Sequence, residues 1–184
     1  GAMFRRMLDH PRIELGLAKD YASEPARSTA RHTIYTGPID EFFEYRFGRL
    51  PYRSLRFEHY HSQFVTEDEF VQRAPVINYP NEEAFTRITE FKQLTGQRCK
   101  GSSLVREYPT AEGDPYYPIP CAENEALLKQ YETEALKWPT VSFVGRLAQY
   151  RYYNMDQVVA SAIKVADSVT EKLRSQVPAR TLRA

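Results

Sequence analysis

The sequence holds only two cysteines, Cys99 and Cys121, among 184 residues. Two thiols without metal-ligand spacing argue against a disulfide framework or a zinc module and suit a reducing, cytosolic setting. Glycine is sparse, at eight residues. Neither G-x-G-x-x-G nor G-x-x-x-x-G-K-[ST] occurs, so this chain does not hold a dinucleotide by the usual fingerprint. There is no G-x-S-x-G elbow, which leaves a Ser-His-Asp hydrolase without support. No apolar run approaches a membrane span, and no signal peptide is visible. Excess charge is missing too: 25 basic against 24 acidic residues leave a formal net charge of +1. That balance gives no global pull toward nucleic acid. No internal repeat or low-complexity tract is found.

What is present is enough for a real core. Hydrophobic residues make up 42% and aromatics 13%, over a length suited to one domain or a compact pair. Phe4 to His10 reads as the end of a helix stopped near Pro11. It has no cap before it, as expected of a tag remnant or a cut through a longer chain. IELGLAKDY (13–21) is a strand candidate and ASEPARSTAR a polar connector. HTIYTGPID (32–40) holds a short apolar strand ended by Gly-Pro, and DEFFEYRFG (40–48) one or two helical turns closed by Gly48. YRSLRFEHYHSQF (52–64) alternates, with Leu55, Phe57 and His59 on one face and Ser54, Arg56 and Glu58 on the other, the pattern of a half-buried strand. APVINYP, AFTRITEFKQL (84–94) and SSLVREYP continue the series. Strands in succession with short links predict an antiparallel sheet. Ala126, Leu127, Leu128, Tyr131, Ala135 and Leu136 recur at helix spacing. VSFVG reads as a short buried strand, and Met155 onward as a long amphipathic helix with Val158, Val159, Ala162, Ile163, Ala166 and Val169. The polar tail, 176–184, is expected to fray.

The expected fold class is therefore α+β: an antiparallel sheet domain flanked by α/β pieces of an incomplete doubly wound domain. The boundaries fall at 1–50 (helix and strand remnants), 51–120 (the sheet), 121–175 (helix, strand, long helix) and 176–184 (flexible tail).

The chemistry-bearing residues are mainly arginines and tyrosines. Arg53, Arg87 and Arg146 stand in apolar and aromatic surroundings. An arginine fork on a concave sheet suits a diphosphate through charge-assisted bonds; the alternative is a solvated edge residue paired with Glu58, Glu90 or Glu107. EGDPYYPIP (112–120) carries a proline-flanked tyrosine pair, useful against a sugar or nucleotide or as a packing corner. GRLAQYRYYNMDQVV (145–159) repeats that chemistry ahead of a helix start. Asn154 is the expected N-cap, and the helix N-terminus favours a negative group, which Asp156 partly offsets. His59 and His61 form an H-x-H pair without a third metal ligand and read as ordinary strand histidines. No metal site is expected.

IYTGPIDEFFEYRFGRLPYRSLRFE, FTRITEFK, REYP, DPYYPIP and GRLAQYRYYNMDQVV, taken in order, resemble the C-terminal part of UDP-galactopyranose mutase. The resemblance covers roughly Ile34 to Ala166. It implies an FAD enzyme that interconverts UDP-galactopyranose and UDP-galactofuranose by covalent chemistry on the reduced cofactor. It also implies a Rossmann-like FAD domain, a helical domain with a mobile loop, and an antiparallel sheet domain. Arg87 matches the arginine that holds the diphosphate and would stabilise charge on departing UDP. Arg53 matches the arginine of the YRSL element near the substrate, and Glu107 the acidic residue of EYP. Tyr117 and Tyr152 match tyrosines that contact diphosphate and sugar. Arg146 matches an arginine beside the flavin. Tyr153, Asn154 and Met155 open a helix that faces the isoalloxazine. The family pattern there is Tyr-Asp-Met, so Asn154 is a departure.

The resemblance further implies that the FAD-binding part lies outside this chain. The fragment would then be inactive alone and not retain FAD, its partners being UDP-galactose or UDP-galactofuranose and the missing FAD domain. Apolar surface uncovered by that absence leaves room for a homodimer. The competing readings are a non-catalytic sugar-nucleotide binding module and a related FAD enzyme of amine-oxidase type.

Overall fold

A computed structural model describes residues 1–23 and 29–175. The fold is α+β, with one five-stranded antiparallel sheet and one small parallel sheet. The elements run α1 (Ala2–Leu8), a 3-10 turn (Tyr21–Ser23), β1 (Thr33–Tyr35), α2 (Ile39–Phe42), β2 (Tyr52–Ser62), β3 (Val76–Asn78), β4 (Arg87–Glu90), α3 (Phe91–Thr95), β5 (Ser102–Thr110), β6 (Tyr117–Pro118), α4 (Ala122–Ala135), β7 (Val141–Phe143) and α5 (Met155–Ser175). Part of the 22–31 connector and the 176–184 tail lie outside the described residues.

The first core gathers around the parallel pair β1–β7, in which Thr33, Ile34 and Tyr35 stand beside Val141, Ser142 and Phe143. Tyr35, Ile39, Phe42, Phe43, Leu50, Tyr131, Ala148 and Tyr150 form the buried cluster. Its aromatic rings meet edge to face: Phe42 and Phe143 lie 4.9 Å apart, Tyr35 and Phe42 5.0 Å. Such pairs contribute about 0.5–1.5 kcal/mol each beyond area burial. The Gly-Pro after β1 is demanded by this packing. A Cβ on Gly37 would stand 2.5 Å from the Tyr35 hydroxyl, and Pro38 supplies the φ of −58° that leads into α2. Gly48 then closes the turns at φ +110°, and its carbonyl accepts the Tyr131 hydroxyl at 2.6 Å.

The larger sheet runs β3-β4-β5-β2-β6. Its spine is the long β2–β5 ladder, from Ser54 opposite Thr110 to Ser62 opposite Ser102. The irregular stretch from Val65 to Pro75 is organised by two buried charges. The Glu90 carboxylate has no solvent exposure. It accepts from Val71 N and Gln72 N at 3.0 Å each, Ser102 Oγ at 2.6 Å and Gln93 Nε2 at 2.9 Å. Lys92, also buried, donates from Nζ to the Thr66 and Glu69 carbonyls at 2.6 and 3.0 Å. Charges buried this deeply persist only when their bonding capacity is met.

Four expectations need correction. Residues 13–21 form no strand: among the described residues no strand lies within 13–20 and Tyr21 opens a 3-10 turn, while Ile13, Leu15 and Leu17 face solvent. The strand expected over 84–94 ends at Glu90, where the carboxylate turns back to hold residues 71–72. The chain then enters α3, ended by Gly96 in the left-handed region at φ 67°. VSFVG does form a strand, but it is only half-buried, with β1 as its one strand partner among the described residues. On β2 the half-buried face was expected to carry Leu55, Phe57 and His59. Instead the strand's one fully buried residue is Ser54, on the opposite face, while Phe57 is 40% exposed. Leu55, on the face with Phe57, lines a cleft instead of a core. The long helix forms as expected, yet Met155, Val159 and Ile163 on it are exposed.

Glu90 yields a pH prediction. Burial alone would raise its pKa, but the bonds from Ser102, Val71, Gln93 and Gln72 together outweigh burial and hold it below the usual carboxylate value. A depressed folded-state pKa contributes stability that is fully present above the unfolded value, about 4.5, and is lost as pH falls through the folded one. Glu90→Ala is expected to lose about 3 kcal/mol near neutral pH and to flatten the acid limb below about pH 4.5. Urea unfolding of both proteins across that range checks this, and an unchanged acid limb would contradict it.

Candidate functional site

The open face of the large sheet forms one wall of a cleft of about 830 Å³. It falls in the size range of small-molecule sites. Arg53, Arg87, Glu107, Tyr117 and Tyr152 all line it, with Tyr52, Leu55, Thr86, Ile119 and Pro109 among their neighbours. These residues are far apart in sequence and meet because of strand register. Arg87 on β4 stands opposite Glu107 on β5, which stands opposite Phe57 on β2. Two residues along, Leu55 faces Pro109. At the other edge, Arg53 faces Tyr117 on β6. Alternation then directs 53, 55 and 57 to the same side of β2.

Arg87 is aimed by its neighbours. Nε donates to Asn78 Oδ1 at 3.1 Å, and an outer nitrogen lies 3.7 Å from a Glu107 oxygen. Its side chain stays 41% exposed and that of Glu107 13%, so the guanidinium keeps an open side toward the cleft. The pairing of arginine with glutamate raised for these strands is therefore present at Arg87, in a half-open form that leaves the cation accessible. Glu58 pairs with Arg106 on the opposite face, at 3.8 Å. Glu90 is held by the four donors already described.

The far wall is built from two loops. Tyr117 and Tyr152 stack with centroids 5.8 Å apart and planes at 19°. Arg146 lies against both rings and donates to the carbonyls of Tyr116 at 3.2 Å and Tyr153 at 2.6 Å. Behind it, Tyr150 is buried in a left-handed conformation, φ 44°. This is an uncommon state for a bulky residue. Its hydroxyl donates to the Pro51 and Ile119 carbonyls and accepts from Ile119 N at 3.1 Å. Burial, the largest influence, pushes the Tyr150 hydroxyl pKa up, so the group stays protonated and able to donate.

Tyr153 and Asn154 lead into α5, and Met155, its first residue, is 87% exposed. Val158 N bonds the Asn154 carbonyl at 3.0 Å, and the Asn154 N–H donates to Gln157 Oε1 at 2.9 Å. That second bond is half of a capping box, made from Gln157 back to the cap. Met155 lies outside the cleft lining, as do Arg146, Tyr153 and Asn154. The two strand histidines have ordinary neighbours: His61 bonds Ser103 Oγ at 3.0 Å and His59 stacks on Phe91. No cluster of metal-ligating side chains occurs among the described residues.

The family model described as UDP-galactopyranose mutase matches residues 1–152. The chain belongs to the UDP-galactopyranose mutase family. A dTDP-fucopyranose mutase of Escherichia coli is 36% identical over 89% of this chain and 45% of its own length. A probable UDP-galactopyranose mutase of Klebsiella pneumoniae is 36% identical over 95% of this chain and 45% of its own. The UDP-galactopyranose mutase of Mycoplasma pneumoniae is 34% identical over 91% and 46%. The chain thus spans less than half the length of the relatives it matches.

Sequence reasoning missed several parts of this cleft. Asn78 carries no motif, and its bond to Arg87 exists only in the sheet register; Thr86 stands in FTRITEFK, but its two bonds to the Glu107 carbonyl come from the sheet. Tyr150 stood in a motif already singled out, but nothing in the sequence distinguishes the tyrosine that turns inward from Tyr152 and Tyr153. Tyr150→Phe is expected to leave the Pro51 carbonyl and Ile119 N–H short of a partner and to cost about 1–3 kcal/mol. Equilibrium denaturation measures this; a loss within about 0.5 kcal/mol, as at an ordinary surface site, would show that the hydroxyl is dispensable.

Proposed function

We propose that the cleft binds the diphosphate and sugar of a UDP-hexose, and that this chain supplies the substrate side of a flavin-dependent UDP-galactopyranose/UDP-galactofuranose mutase. The observation that carries the reading is the convergence of Arg53, Arg87, Glu107, Tyr117 and Tyr152 on one cleft. Arg87 offers a half-open guanidinium for a phosphate. Glu107 holds that guanidinium in place, and Tyr117 and Tyr152 offer flat faces and hydroxyls to the sugar side. Stabilisation of charge on a departing UDP is the chemistry this arrangement favours.

A flavin would supply the covalent chemistry of ring contraction. The residues here fit one edge of it. The N-terminus of α5 is open to solvent beside exposed Met155, and the helix dipole there favours a negative edge. Asn154 in place of the family aspartate leaves that field undiminished at the cap, with Asp156 in the first turn. No glycine fingerprint for the rest of the cofactor occurs in this sequence. We assign residues 51–120 to the substrate sheet, and 1–50 with 121–175 to the FAD-binding domain. The remainder of that domain would cover the exposed apolar side of α5. On this reading the chain by itself does not turn over.

Two experiments test this. Isothermal titration of the 184-residue chain with UDP is expected to show binding that Arg87→Ala weakens by about 10- to 100-fold, the loss of one or two charge-assisted bonds. Equal affinity of the variant and the parent would reject the diphosphate assignment. Added FAD is expected to wash off the chain on gel filtration. A yellow, stoichiometric complex would overturn the assignment of its main binding determinants to another part of the protein.

A further inference from the structure

Arg146 does more in the fold than its motif suggests. Its guanidinium carbon lies 5.1 Å from the ring centroid of Tyr117 and 4.9 Å from that of Tyr152. Its two terminal nitrogens donate to the carbonyls of Tyr116 and Tyr153, the residues next to those tyrosines in sequence. The two segments joined in this way have little other means of alignment. β6 is two residues long and pairs with β2, while residues 151–154 have no regular structure. Tyr152 is 58% exposed, so burial does not hold its ring. Tyr150 ties the same segments together further back, at Ile119, but touches neither ring.

We propose that Arg146 is a positioning residue, setting the spacing and tilt of Tyr117 and Tyr152 so that the two rings form one wall of the cleft. The inference deepens the reading of that cleft as a UDP-sugar site and rests on it for the choice of ligand. The physical reason is the shape of the side chain. A planar fork can satisfy two carbonyls in its plane while its edges and faces meet aromatic rings. Anchoring the 116 and 153 carbonyls fixes the backbone one residue from each tyrosine. A lysine ammonium carries the same charge but cannot hold both carbonyls and both rings in one geometry. With both terminal nitrogens given to protein carbonyls, the main work of Arg146 is directed at the loops.

The test separates this role from direct contact with an anion. Tyrosine-labelled 184-residue chain gives ring-to-ring NMR contacts without ligand, and UDP titration gives affinity. Arg146→Lys and Arg146→Gln are both expected to lose the Tyr117–Tyr152 contacts and to weaken UDP binding about tenfold, with lysine no better than glutamine. In a Tyr152→Leu background, where the wall is already broken, Arg146→Gln is expected to cost less than about twofold, as sites that act together are non-additive. Circular dichroism confirms the fold of each variant; should the glutamine variant unfold, the lysine variant carries both readouts. Ring contacts that persist in the variants would overturn the proposal. So would recovery of affinity with lysine, or a full tenfold cost in the Tyr152→Leu background. If the parent chain takes no UDP, the ligand reading fails, and the ring contacts alone decide the role of Arg146.

Discussion

The tie made by the Tyr150 hydroxyl is the constraint on which the cleft depends. One buried oxygen joins the carbonyl at the start of β2, both backbone groups of Ile119 after β6, and the loop ahead of α5. The backbone of Tyr150 is left-handed, which costs about 1–3 kcal/mol for a residue of this kind. The cost is offset by burial of the ring, which meets Tyr52 edge to face at 5.1 Å, and by hydrogen bonds that no solvated conformation would align. Turning Tyr150 inward leaves Tyr152 outside. The parallel-sheet core and the antiparallel sheet are joined here, so the position of the tyrosine wall relative to Arg87 follows from this junction.

Charge is used in two ways. Glu90 and Lys92 are removed from water and hydrogen-bonded, and they fold the irregular stretch from Val65 to Pro75 onto the sheet without a hydrophobic core of its own. Arg87 and Glu107, close by in the same sheet, remain partly solvated and loosely paired. The first pair holds shape, because a buried charge that loses its partner is costly. The second keeps bonding capacity in reserve, because a cation satisfied by only part of its fork can still take an oxyanion. Arg146 lies between these cases, with its terminal nitrogens fixed and its charge beside the cleft.

Exposed apolar residues include Met3, Phe4, Met7 and Leu8 of α1, Ile13, Leu15 and Leu17, and Met155, Val159 and Ile163 of α5. Among the described residues the parallel sheet has two strands, few for a motif that ordinarily buries both faces. The large sheet, by contrast, is well supported through β2, β4 and β5. The uneven finish matches a family whose relatives extend to more than twice the aligned length.

By itself, the sequence determined the class of elements, the antiparallel centre and the family, because alternation, Gly-Pro stops and five ordered motifs are local properties of the chain. It also indicated Arg53, Arg87, Glu107, Tyr117 and Tyr152 as cleft residues through resemblance. It misread 13–21, where alternating Ile13, Leu15 and Leu17 look like a strand, because a strand exists only with a neighbour to take its hydrogen bonds. It ran β4 too far, because the bonds that turn the chain at Glu90 come from residues 71, 72 and 102. Tertiary structure alone decided that Arg146 gives its terminal nitrogens to the Tyr116 and Tyr153 carbonyls. It also decided which of three tyrosines turns inward, and that Leu55 lines an opening. Each of these depends on strand register and on partners tens of residues away, and no local pattern encodes them.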